Sequence, residues 1–175
     1  MASPAAAQPK WADPAKTIRV TFPVAETGFD PQATSDYYSS HVERAIFEPL
    51  YTFDYLARPH RIVPNTAAAM PEISADGRTW KIRLRPGIHF ADDPAFKGRK
   101  REVTAQDFIY PFQRIADPAN RSPLWSWIET YALLGLAEQR KAALDGKKPF
   151  DYDAPLEGLK ALDRYTIQYK LKEPR

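Results

Sequence analysis

The stretch Met70–Asp93, "MPEISADGRTWKIRLRPGIHFADD", sets the reading of the whole chain. Ser74-Ala75-Asp76-Gly77 is an Asp-Gly turn. The run Thr79–Leu84 alternates strictly, with Trp80, Ile82 and Leu84 on one side and Lys81 and Arg83 on the other. A tight turn feeding a period-two run predicts a half-buried antiparallel strand. Pro86-Gly87 stops it, and "IHFADD" makes a second short extended piece. None of these residues is chemistry. The segments around it must say what the element is for.

Working outward, "KTIRVTFPV" (16–24) alternates Ile18, Val20 and Phe22 and predicts a leading strand ended by Pro23. The segment 25–40 is a loop with a turn initiated by Asp30-Pro31. Ser35 or Asp36 can cap a helix from about Tyr37 to Phe47, with Val42, Ile46 and Leu50 at helical spacing. "LYTFDY" (50–55) alternates again as a short strand. Thr104 followed by Asp107 has the spacing of a capping box, and Phe108, Ile109, Phe112 and Ile115 supply that helix's apolar stripe. Pro111 should kink it or shorten its first turn. Trp125 to Leu144 reads as one helix with Leu133, Leu136, Ala137 and Leu144 buried. "YTIQYKL" (165–171) alternates as the last strand. The fold class is therefore mixed α/β, with short strands and helices interleaved.

Totals narrow the function. The chain has 175 residues, 43% of them hydrophobic, which suits one globular domain or one part of a larger protein. Seventeen prolines against seven glycines imply many fixed bends. A net charge of +3 with mixed signs lacks the concentrated basic face of a nucleic-acid binder. With no cysteine, disulfides and thiolate chemistry are excluded, and no apolar run reaches the roughly 20 residues of a membrane span. "MASPAAAQP" has neither the charged region nor the apolar region of a signal peptide and reads as a disordered tail over 1–15.

Catalytic signatures are absent. His41, His60 and His89 lie in separate elements without metal-ligand spacing. Asp92 and Asp93 are adjacent on an extended chain, so they point to opposite faces and cannot share a substrate. "KGRKR" (97–101) reads as a solvated loop, with a phosphate or partner contact as the competing reading. "LWSWIETY" (124–131) is either core packing or a ligand platform. "SDYYSS" (35–40) is either a helix cap or the wall of a cleft.

In order and spacing, these motifs resemble a known family. "FDPQATSDYYSSHVERAIFEPLYTFD", "AAAMPEISADGRTWKIRLRPGIHFADD", "REVTAQDFIYPFQRIADPANRSP", "DGKKP" and "LKALDRYTIQYKLKEP" look like the N-terminal part of the family 5 extracellular solute-binding proteins, the peptide receptors of ABC importers. The resemblance runs from Lys16 to Pro174. It implies the N-terminal part of a two-lobed periplasmic binding protein with no catalytic role and no cofactor. Residues 16–48 would begin the first lobe and 49–175 form a peripheral α/β subdomain. The ligand would be a peptide or related small solute, and the membrane permease subunits of the transporter would be partners. Ser35, Asp36 and Tyr37 fall on the family's ligand-contacting loop. Leu124 falls where oligopeptide binders present a tyrosine, a departure that leaves Trp125 to take the role or the ligand to differ. Family members are about three times this length, so the chain reads as an N-terminal fragment. One rival reading is a stand-alone interaction module that uses the subdomain without clamping a ligand; a second, a hydrolase built on Asp92, Asp93 and His89, lacks a nucleophile with an orienting base.

Overall fold

The computed structural model describes residues 15–17, 19–146 and 148–175. A four-stranded antiparallel sheet in the order β3-β4-β6-β5 forms its centre: β3 (Glu72–Ile73), β4 (Thr79–Arg83), β5 (Leu159–Asp163) and β6 (Thr166–Lys170). The strand at the heart of the opening stretch, β4, is an interior one, and it pairs with β6 in a register that sets Ile82 opposite Ile167 and Trp80 opposite Tyr169. The alternation shows directly in burial. Ile82 and Leu84 are buried, Trp80 is half-buried against the core, and Lys81 and Arg83 face solvent. Gly77 closes the preceding turn with φ +68, a left-handed conformation that a side chain resists, and its carbonyl accepts the Trp80 indole N–H at 3.1 Å.

Helix α2 (Ala105–Ala116) lies against β5 and β6, burying Ile109 and Ile115. Its start obeys the capping-box spacing: the Asp107 carboxylate accepts the Thr104 backbone N–H at 2.8 Å and hydroxyl at 3.0 Å. The helix runs through Pro111 without ending or losing its first turn. Phe112 meets Tyr169 edge-on with ring centroids 5.6 Å apart. Two further helices, α3 (Trp125–Glu129) and α4 (Leu136–Gly146), complete the helical layer.

These last two replace the single helix expected over Trp125–Leu144. Ala132 and Gly135 take positive φ, +53 and +83, and Leu133 between them makes a bridge to Leu171. Pairing with the end of the sheet won over helix continuity. Leu133 and Leu136 are buried as expected, whereas Leu144 is 56% exposed, because the break turns the register of α4. The same junction is tight. A Cβ on Gly158 would sit 2.5 Å from the Leu134 carbonyl oxygen, which already accepts the Gly158 N–H at 2.8 Å.

Two other expectations need correction. Residues 16–24 form no strand among the described residues. Ile18 lies outside them, as do residues 1–14 of the expected tail, and Val20 is 78% exposed with no sheet edge beside it. Alternation alone does not make a strand without a partner. Helix α1 (Tyr37–Ile46) exists, but Ile46 is 57% exposed and its buried residues are Ser39 and Glu43, so the helix packs through its polar face. The run expected at 50–55 is the short strand β1 (Tyr51–Phe53), paired with β2 (Ile62–Pro64) in a separate hairpin. "IHFADD" is tied to the next segment by a His89–Glu102 bridge.

The β4–β6 contact supplies the first prediction. Ile167 is fully buried, so Ile167→Ala should lower unfolding free energy by about 2–5 kcal/mol in urea titrations. Lys81→Ala, one position off the buried row, should cost about 0.5 kcal/mol or less. Equal effects would mean that the register is wrong.

Candidate functional site

The first of the two segments singled out in the sequence is the entry to α1. Asp36, not Ser35, is its N-cap: the carboxylate accepts the N–H groups of Tyr38 at 3.0 Å and Ser39 at 2.8 Å. Both candidates carry the right oxygen. Thr27 separates them, since its hydroxyl donates to Asp36 at 2.5 Å and its backbone N–H to the Ser39 hydroxyl at 3.0 Å. Ser35 is left exposed. Tyr37 is 67% exposed, its ring stacked at a tilt on His41 with centroids 4.1 Å apart. Behind the loop, the buried Thr34 hydroxyl donates to the Glu43 carboxylate.

The second segment follows α2. Asp117 caps a short 3-10 turn, Pro118–Asn120, and the buried Ser122 comes next. The Ser122 hydroxyl donates to the Gln32 carbonyl at 2.5 Å and accepts the Leu124 N–H at 3.3 Å. Leu124 occupies the N-cap position of α3 and is half-buried. The half-buried Trp125 lies under the Arg140 guanidinium, 4.8 Å from ring centre to charge, in a groove of about 350 Å³ between α3 and α4. Trp127 and Tyr131, placed on one face by their spacing, do stack edge-on at 5.3 Å.

The two segments meet through the turn residue Asp30 and through three residues that the sequence did not single out, Arg114, Gln32 and Ser122. From the last turn of α2, Arg114 donates to both carboxylate oxygens of Asp30, at 3.0 and 2.5 Å, and to the Gln32 side chain at 2.5 Å. Ser35, Asp36 and Tyr37 therefore sit on a loop whose root is clamped to the strand–helix body, next to the loop that carries Leu124. No local pattern announces a contact across more than eighty residues; Arg114 looks like an ordinary basic residue at a helix C-terminus. A larger depression, about 710 Å³, lies elsewhere, lined by the β1–β2 loop between Asp54 and Arg61. It is an open-sided surface feature, so volume is the poorer guide to a site here. The histidines remain apart: Nδ1 of His41 faces the Tyr37 carbonyl, Nδ1 of His89 faces that of Gly87, and His60 packs on Phe53. Among the described residues, no group of three or more potential ligands could hold a metal ion.

A family model described as bacterial extracellular solute-binding proteins, family 5 Middle, matches residues 61–175. The chain belongs to this family. It is 32% identical over 145 residues to the periplasmic oligopeptide-binding protein OppA of Escherichia coli, an alignment covering 83% of this chain and 23% of OppA. Against the periplasmic murein peptide-binding protein MppA of the same organism it is also 32% identical, with the same shares covered. Among solved structures, Haemophilus influenzae OppA in complex with the peptide RPPGFSPFR matches with a TM-score of 0.64 and 29% identity, covering 84% of this chain and 25% of that one. The chain thus spans about a quarter of the length of these solute-binding relatives. The mixed α/β architecture is the one expected.

Electrostatics make the site acid-sensitive. The Arg114 guanidinium holds the Asp30 carboxyl below its ordinary range, and hydrogen bonds from Ser39 and Thr27 do the same to Asp36. At the far end of the sheet, Arg164, with Gly87 N–H and the Tyr165 hydroxyl, holds Glu102 down at about 2. A carboxyl depressed in the folded state stabilises the fold fully above its unfolded value, near 4, and loses that contribution as pH falls toward the folded value. The melting temperature followed by circular dichroism should stay level from about pH 8 to 5 and fall steadily below about pH 4. A rise in acid would contradict these assignments.

Proposed function

We propose that the chain is part of the substrate-binding component of an ABC-type importer, a periplasmic, non-catalytic receptor that takes up peptides or a related small solute. In this reading residues 16–48 begin the first lobe and 49–175 are its peripheral subdomain. Ser35, Tyr37 and Leu124 present contacts to the ligand, Asp36 shapes the loop beneath them, and Trp125 braces α3. Permease subunits in the membrane are the receptor's partners.

The observation that carries the proposal is the likeness, over more than four-fifths of the chain, to proteins named for binding peptides. A second solved relative, the ABC transporter-associated periplasmic binding protein DppA of Helicobacter pylori in complex with the peptide STSA, matches at 25% identity with a TM-score of 0.59 and covers 83% of this chain. The physical character of the loops agrees with a peptide ligand. An exposed tyrosine, a free serine hydroxyl and a half-buried leucine offer both apolar surface and hydrogen bonds to a polar backbone.

A peptide held by one wall keeps much of its surface in water and its charged ends unpaired. The 175-residue chain should therefore bind trialanine with a Kd weaker than about 1 mM. NMR titration should still place the shifts at Ser35–Tyr37 and Leu124. Tyr37→Ala should remove those shifts while moving stability by about 0.5 kcal/mol or less, because the ring is mostly exposed. Micromolar affinity would show that one wall suffices. Shifts confined to other surfaces would refute the site.

A further inference from the structure

We propose that Arg114 is a positioning residue of the cleft, locking the Ser35–Tyr37 loop and the Ser122–Trp125 loop into one unit through Gln32. The proposal rests on the peptide-receptor reading for its purpose, and on geometry alone for the coupling. Gln32 is held twice. Its side-chain oxygen accepts from Arg114 at 2.5 Å, and its backbone carbonyl accepts from Ser122 at 2.5 Å. Arg114 fixes one side of that junction. It rises from α2, whose neighbouring Ile115 and Ala116 are buried, so the guanidinium projects from a rigid base.

The other connections continue the unit in both directions. Toward α1, Asp30 accepts the Arg114 fork and the Gln32 N–H at 3.2 Å, and its carbonyl accepts the N–H of Ala33 at 2.8 Å and the hydroxyl of Thr34 at 3.2 Å. Toward α3, the Asn120 side chain donates to the Arg114 carbonyl at 2.8 Å, and Ser122 accepts from Leu124. The segment between Asp30 and Asp36 belongs to no strand or helix. Its order therefore depends on these polar contacts, and the fork is their bidentate member. A lysine is a point charge and cannot satisfy Asp30 and Gln32 in the same geometry.

Amide hydrogen exchange in the whole chain tests this, because the effect of a change on one side is read on the other. Arg114→Gln should accelerate exchange at Ala33 and also at Leu124 by about tenfold or more, with Leu84 in the sheet ladder unchanged. Ser122→Ala, the milder change, should accelerate Ala33 across the junction. Arg114→Lys should behave like Arg114→Gln. The proposal is overturned if each substitution acts only within its own segment, if Lys restores protection, or if Leu84 accelerates equally, which signals general destabilisation. None of these readings uses a ligand. Loss of trialanine shifts in the wild-type chain would count against the peptide-receptor reading, while confined exchange effects would sink the coupling with binding intact.

Discussion

The pairing of β4 with β6 is the constraint on which the remaining structure depends. It joins residues 83 to 91 positions apart and seats Ile82 against the fully buried Ile167. The ladder continues past the strands, since the Leu84 N–H donates to the Tyr165 carbonyl at 2.8 Å. From that same β5–β6 turn, the Arg164 carbonyl accepts the Ala105 N–H at 2.9 Å and so fixes where α2 begins. Glu102 ties the turn to Gly87 and Tyr165 at 2.8 and 2.9 Å. With its start and face set, α2 delivers Arg114 to Asp30 in the loop before α1. Placement of the candidate site thus descends from a sheet that contains none of its residues.

This division of labour explains where the candidate site lies in the chain. The sheet and α2 bury mainly apolar rows, with Gln113, which donates to the Tyr152 carbonyl, as the polar exception. The loops at 30–37 and 122–125 bury few apolar groups and are shaped by side-chain hydrogen bonds instead. Polar organisation extends into α1, which turns Ser39 and Glu43 inward and leaves Ile46 and Phe47 outward. Burying Glu43 is tolerable because its carboxylate has the Thr34 hydroxyl as partner.

What could be read from the sequence was what neighbouring residues decide. The Asp76-Gly77 turn, the alternation of β4 and β6, and the Thr104–Asp107 cap are encoded within a few positions, and all are present. The misreadings came where a distant group made the decision. Val20 and Phe22 alternate as a strand should, yet nothing offers them an edge. Leu133 fits a helical stripe, yet Leu171 draws it into a bridge and splits the helix. At the site, the loop and its capping role were legible, but the choice of Asp36 over Ser35 came from Thr27, nine residues back. Arg114, Gln32 and Ser122 were invisible because each is unremarkable beside its own neighbours.

The separation of β4 from its partner also has a consequence in time. A ribosome adds about 5–20 residues per second, so β4 emerges several seconds before β6 exists to pair with it. During that interval β4 has only the two-residue β3 beside Trp80 and Lys81 and the Ala67 bridge beside Leu84, and the four-stranded sheet cannot close. The strand order thus delays closure of the sheet, and the basic residues Lys81, Arg83 and Arg85 interleaved through this run have the placement by which charges disfavour pairing with other chains. Synthesis, not the search for contacts, sets the earliest moment at which this fold can form.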